Sequence, residues 1–162
     1  MEFTFKRTAT IVAALLLIAA VTQAIYTALY IAEADVPRQL LWVSEGFMFT
    51  VLAAFAGSAL AQAKRLQLAW AAITAAAVLN VVQVGVGLTM FGPFSEMSGV
   101  LEGLGVEKDP ARLMIGSVVA FSFMVYNAAK VLLALALIVI GLDRGKALGG
   151  LSALSGLVAF IS

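Results

Sequence analysis

Neither cysteine nor histidine occurs anywhere in the 162 residues, and the two absences together remove most protein metal chemistry. Bis-histidine haem, thiolate clusters and the usual zinc sites each need one of the two, so no protein-ligated haem, iron–sulfur cluster, zinc or other metal site is expected. Thiol redox chemistry and structural disulfides go with them. Charge is scarce as well: Asp, Glu, Lys and Arg make up 12% of the chain, against about a quarter in soluble domains. The net charge is +1 and the basic residues are scattered, which excludes the clustered cations that nucleic-acid binding requires. No polar stretch is long enough to enclose a core of its own.

What the chain does contain is hydrocarbon. Hydrophobic residues make up 63% of it and the mean hydropathy is +1.07. The fold class implied is an all-α integral membrane protein, one transmembrane domain over residues 1–162, built as a bundle of about five transmembrane helices. The apolar runs place spans at about 8–32, 40–63, 66–90, 113–142 and 147–162.

Lys6 and Arg7 precede the first run. Ala32-Glu33-Ala34 resembles a cleavage site, but a run of about 25 residues exceeds a signal-peptide core, so it is read as a retained first helix. Ala20, Ala24 and Ala28 recur every fourth residue and form a ridge that lets another helix approach closely. A tight connection with Pro37 leads to the second helix. It carries Trp42 at the interface, Glu45 about one turn inside, and a thin side at Ala53, Ala56 and Gly57. The basic turn Lys64-Arg65 opens the third helix, in which Asn80 and Gln83 are three apart and share a face. Residues 91–112 form the one long connection. Phe94, Met97, Leu101 and Leu104 fall on one helical side there, which predicts a short amphipathic helix on the interface. Asp109-Pro110 reads as a helix start. The last run is glycine-rich, with Gly149 and Ala153 at four-residue spacing. At roughly 24 Å it is shorter than a hydrocarbon core of about 30 Å, so it is either a short span or a span that continues past Ser162.

The turns set an orientation. Lys6, Arg7, Lys64, Arg65, Arg144 and Lys146 fall on one side, while Arg38, Lys108 and Arg112 share the other with six acids. The positive-inside rule then puts the N-terminus in the cytoplasm and the long acidic connection outside. In hydropathy the chain is similar to several bacterial multi-spanning families that open with a basic pair and a long first span, which implies a bacterial inner membrane and no function.

The candidate site is a line of polar groups inside the spans. Lys130 lies in the middle of the fourth helix with Asn127 beside it, and a lone ammonium at that depth needs a partner. Taking helix midpoints as the bilayer centre, Lys130 and Asn80 fall near the midplane, Gln23 and Gln83 slightly outward, and Glu45 roughly 12 Å outward. Side chains lean toward a helix N-terminus, so Lys130 should lean outward, toward Glu45. A direct pair needs tilt or a one-turn offset; a chain through Asn127, Gln83, Asn80 or water needs neither. The plain reading is that Lys130 is tied to neighbouring carbonyls and amides and fixes one packing. The functional reading is that it lines a proton, ion or substrate path. A mid-helix lysine beside aromatics resembles a retinal attachment site, but five spans are not the seven-helix retinal fold.

Phe49, Phe121, Phe123 and Tyr126 leave room for a bound lipid, quinone or pigment, although aromatics at helical spacing are more often simple packing. Three functions follow in order of expectation. The first is an accessory or assembly subunit of a larger membrane complex, for which the small-residue ridges argue, although such ridges fit self-association as well as another subunit. The second is a small oligomeric transporter or channel using the polar line; no inverted repeat or pair of interrupted helices supports it. An enzyme comes last, because only Glu45 or Lys130 could act as base or nucleophile.

Overall fold

A computed structural model describes residues 4–34, 37–91, 103 and 108–144. The elements within them are α1 (Phe5–Ile31), α2 (Arg38–Gln62), α3 (Gln67–Phe91) and α4 (Lys108–Arg144). Each holds a stretch long and apolar enough to cross a membrane: Phe5–Leu29, Gln39–Gln62, Gln67–Thr89 and Gly116–Asp143. The fifth helix expected at 147–162 lies outside the described residues. So does most of the amphipathic helix expected in the 91–112 connection, although Gly103 is helical. The 37 residues of α4 give it a length of about 55 Å. It starts at Lys108, so Asp109 and Pro110 fall in its first turn, where proline removes no intrahelical hydrogen bond.

The helix ends are defined by backbone geometry. Glu33 adopts a left-handed φ of 52°, and Ala34 N–H reaches back to the Leu29 carbonyl at 3.0 Å. That six-to-one bond closes α1 in the manner of a Schellman cap, a place where glycine is the unstrained residue. Between α2 and α3, Ala63 is extended and Leu66 takes a left-handed φ of 57°. The Gln67 side-chain amide donates to the Ala63 carbonyl at 3.1 Å, satisfying an acceptor the helix end leaves open.

The helices run up and down, and α3 is the centre. It packs along α2 on one side and α4 on the other, while α1 makes a smaller contact with α2. The core joins Phe49, Leu52 and Ala56 of α2 to Ala69, Ala72, Ile73 and Val84 of α3, with Val12 and Ala19 of α1 and Ala136 of α4. Alanine at Ala56, Ala72, Ala76 and Ala77, all nearly inaccessible, keeps the helix surfaces thin enough for close approach. Gly46 makes the same contribution: a Cβ there would lie 2.9 Å from Val84 Cγ1.

One end of the bundle gathers the start of α1, the α2–α3 turn and the end of α4. Phe5 meets Trp70 edge to face there, with ring centroids 5.8 Å apart. Arg65 donates to Asp143 at 2.7 Å in a largely exposed ion pair. Lys6, Arg7 and Lys64 belong to this same end by position. The outward surface is apolar, with Leu17 66%, Phe47 73% and Met124 65% exposed. Hydroxyls on the helices turn inward on their own backbone: Thr8, Thr10, Thr27, Ser44, Thr50 and Thr74 each donate to the carbonyl four residues earlier. No buried side-chain nitrogen or oxygen among the described residues lacks a hydrogen-bond partner.

Candidate functional site

Toward the other end of the bundle the four helices part around a cavity of about 300 Å³. Each helix contributes to its wall for a periodic reason. Residues three or four apart share a helix face, so α1 presents Gln23 with Tyr26, α2 presents Trp42 with Glu45, and α3 presents Gln83 with Gly87. From α4 come Val119, Ser122, Phe123 and Tyr126.

Glu45 is the cavity's carboxylate. Gln23 Nε2 donates to its Oε1 at 2.5 Å, a bond that crosses from α1 to α2 over 22 residues of chain. The amide thereby spreads the carboxylate's charge and fixes the relative rotation of the two helices. A second cavity of about 330 Å³, between α1 and α2, shares Tyr26 and Glu45 with the first and is otherwise lined largely by apolar side chains such as Leu15, Leu41 and Met48. It reaches the outer surface beside Ile18 and Phe47, which are 49% and 73% exposed. Glu45 therefore lines both cavities.

The Trp42 wall is held by a glycine. A Cβ added at Gly87 would overlap the six-membered edge of the indole, which therefore lies directly on the α3 backbone. No other residue leaves that space. Gly85, two positions earlier, faces open space and makes no such demand.

The polar residues expected to form one line are distributed differently. Gln23, Glu45 and Gln83 share the cavity. Asn80 is buried at 7% exposure and returns its amide to the Ala76 carbonyl at 2.9 Å, within its own helix. The Lys130 ammonium lies 4.8 Å from the centroid of the Tyr126 ring, one turn toward the start of α4. Among the described residues no ion pair joins it to Glu45; the salt bridge found there is Arg65–Asp143. Asn127 is exposed on the outside of α4. Lys130 thus touches the cavity through Tyr126, whose ring lines it, rather than by its own ammonium.

Of the aromatic residues singled out in the sequence, Phe123 and Tyr126 line the cavity, Phe49 is buried in the core, and Phe121 is 47% exposed. Of the packing residues, Ala53 and Gly57 are half-buried, and Gly57 faces the Thr74 methyl at an ordinary 3.8 Å. Ala20, Ala24 and Ala28 lie exposed along α1. Gly149 and Ala153 fall outside the described residues. Tyr26, Trp42, Gly87 and Ser122 are cavity residues that spacing did not single out. The available signal was the Gln23/Tyr26 and Gln83/Gly87 pairing at three- and four-residue intervals, which puts an amide and a cavity residue on one face.

Compared with known proteins, this chain matches no family model, no curated protein and no solved structure. Among the described residues no group of three or more carboxylates is placed to hold a metal ion. The site offers one carboxylate, two amides and hydroxyl groups set among aromatic side chains.

Proposed function

We propose that the protein is a small polytopic membrane protein, its N-terminus in the cytoplasm, that binds a small organic solute in the four-helix cavity and serves its passage into or across the membrane. The observation that carries this reading is the placement of Glu45, with Gln23 and Gln83, on the wall of a chamber to which every described helix contributes. Ionisable groups are costly in such surroundings and tend to mark solute or ion paths. A pocket of this size, mainly apolar with a few convergent polar groups, has the make-up of a ligand site. The apolar exterior and the self-bonded hydroxyls support placement in lipid, where backbone and side-chain polar groups must be satisfied within the protein.

A second reading is an assembly subunit of a larger membrane complex. It is favoured by one specific observation, the exposed ridge Ala20, Ala24 and Ala28 on α1, where a foreign helix could approach closely. Native mass spectrometry of the protein released gently from its own membrane separates the two. The solute reading expects a small-molecule adduct that disappears when Ser122→Trp fills the cavity. A stoichiometric protein partner, with no adduct in either form, would replace it with the assembly reading.

A further inference from the structure

We propose that the solute is a monovalent organic ammonium ion with apolar substituents. The inference rests on the solute-binding reading above and names the class that the cavity takes. Its wall carries one acidic group, Glu45, and no lysine or arginine. Four of the residues that line the cavity with Glu45 are aromatic, Tyr26, Trp42, Phe123 and Tyr126. A ring presents negative potential at its face, so cations with weakly hydrated, apolar surfaces gain both from the rings and from a carboxylate nearby. An anion would meet Glu45 without a compensating cation on the wall, and repulsion at short range in a poorly solvated site is severe. Calcium and magnesium are poor matches too. Calcium requires six to eight oxygen ligands and magnesium an octahedral set, whereas the wall is chiefly aromatic and aliphatic.

Of the four aromatic residues, Tyr126 already carries the Lys130 ammonium 4.8 Å from its ring centroid, which leaves Tyr26, Trp42 and Phe123 for a bound cation. Gly87 contributes by leaving the space that the six-membered edge of the Trp42 indole occupies against α3. The apolar cleft between α1 and α2 shares Tyr26 and Glu45 with the chamber, so apolar side chains lie next to a charge held at Glu45.

The test uses a matched pair of probes: benzyltrimethylammonium, and neopentylbenzene, its uncharged carbon isostere. Phenylacetate serves as the anionic control. The full chain is placed in lipid nanodiscs with Trp70→Phe, which leaves Trp42 as the only remaining indole of the two in the sequence. Its emission is followed on titration, with free probe concentrations fixed by partitioning into protein-free nanodiscs. The expected result is saturable quenching in which the cation binds at least about tenfold more tightly than its isostere, the size of a desolvated cation–aromatic and carboxylate preference. Glu45→Gln should abolish that preference and Glu45→Asp should keep it. Should Glu45→Gln fail to assemble, the two-probe comparison on the unaltered site decides alone. Equal or tighter binding of neopentylbenzene or phenylacetate overturns the cation assignment and leaves solute binding intact. No saturable response to any probe also overturns it, and the mass-spectrometric adduct then decides separately whether the cavity binds a solute of another class.

Discussion

Gln23 on α1 and Glu45 on α2 are joined at 2.5 Å by a hydrogen bond that ties the least embedded helix of the bundle to its neighbour. Hydrogen bonds to a charged group contribute about 1.5–3 kcal/mol, and stranding the charged partner costs at least as much as the bond itself. Gln23→Leu should therefore destabilise the protein by roughly that amount. Glu45→Gln should cost less, since an amide can still accept from Gln23. A double-mutant cycle on thermal unfolding in detergent checks the coupling; additive effects would show that the bond contributes nothing.

Gly87→Ala and Gly85→Ala form a second, contrasting pair. The alanine Cβ at position 87 would overlap the Trp42 indole, and at position 85 it would meet nothing within 4 Å. Overpacking of this kind costs about 1–3 kcal/mol, while replacing an unconstrained helical glycine gains roughly 0.5–1 kcal/mol. Trp42 emission should shift in Gly87→Ala and stay unchanged in Gly85→Ala. The same shift in both variants would contradict the close approach.

Lys130→Met should leave the bundle assembled and lose the cation–ring contact, about 0.5–2 kcal/mol depending on how dry the site is. Tyr126→Phe keeps the ring and should be nearly neutral; Tyr126→Leu removes it and should cost more. If Lys130→Met instead prevents assembly, its ammonium is holding packing together beyond the Tyr126 contact. Unfolding midpoints and size-exclusion profiles of the three variants provide the comparison.

Glu33→Gly relieves a non-glycine residue of a left-handed φ of 52°. Strain of this kind is worth on the order of 1 kcal/mol, so the variant should unfold at higher temperature than the parent. An unchanged or lower midpoint would mean that the carboxylate at that helix end contributes more than the backbone relief.

The absence of cysteine makes sidedness measurable without removing anything. A cysteine at position 64 and another at position 33, introduced singly, should react with a membrane-impermeant maleimide from opposite faces: position 33 in intact cells, position 64 only after the membrane has been opened. Labelling of both from one side would refute the proposed crossing pattern.

Much of the architecture was legible along the chain because apolar length is a one-dimensional quantity. A stretch such as Gln67–Thr89 has no polar interruption that a helix could not absorb, and its caps and turns are local. The candidate site was only partly legible. Depth along a helix can be counted residue by residue, so Gln23, Gln83 and Glu45 could be placed toward one end together. Whether two groups at similar depth touch depends on how each helix is rotated about its axis, and the sequence carries that only through the summed fit of every contact. Asn80 is three residues from Gln83 yet bonds to its own helix, while Gln83 faces the cavity.

The sequence by itself determined four long apolar helices, the scarcity of groups able to hold metals or perform thiol chemistry, and the presence of ionisable side chains within apolar runs. Tertiary structure decided that Gln23 rather than Lys130 meets Glu45, that Lys130 rests on Tyr126, and that a glycine at position 87 makes room for Trp42. The division has one physical reason. Hydropathy and helical bonding are settled within a few turns of chain, whereas a cavity is defined by the relative rotation and spacing of separate helices, which only their packing against one another sets.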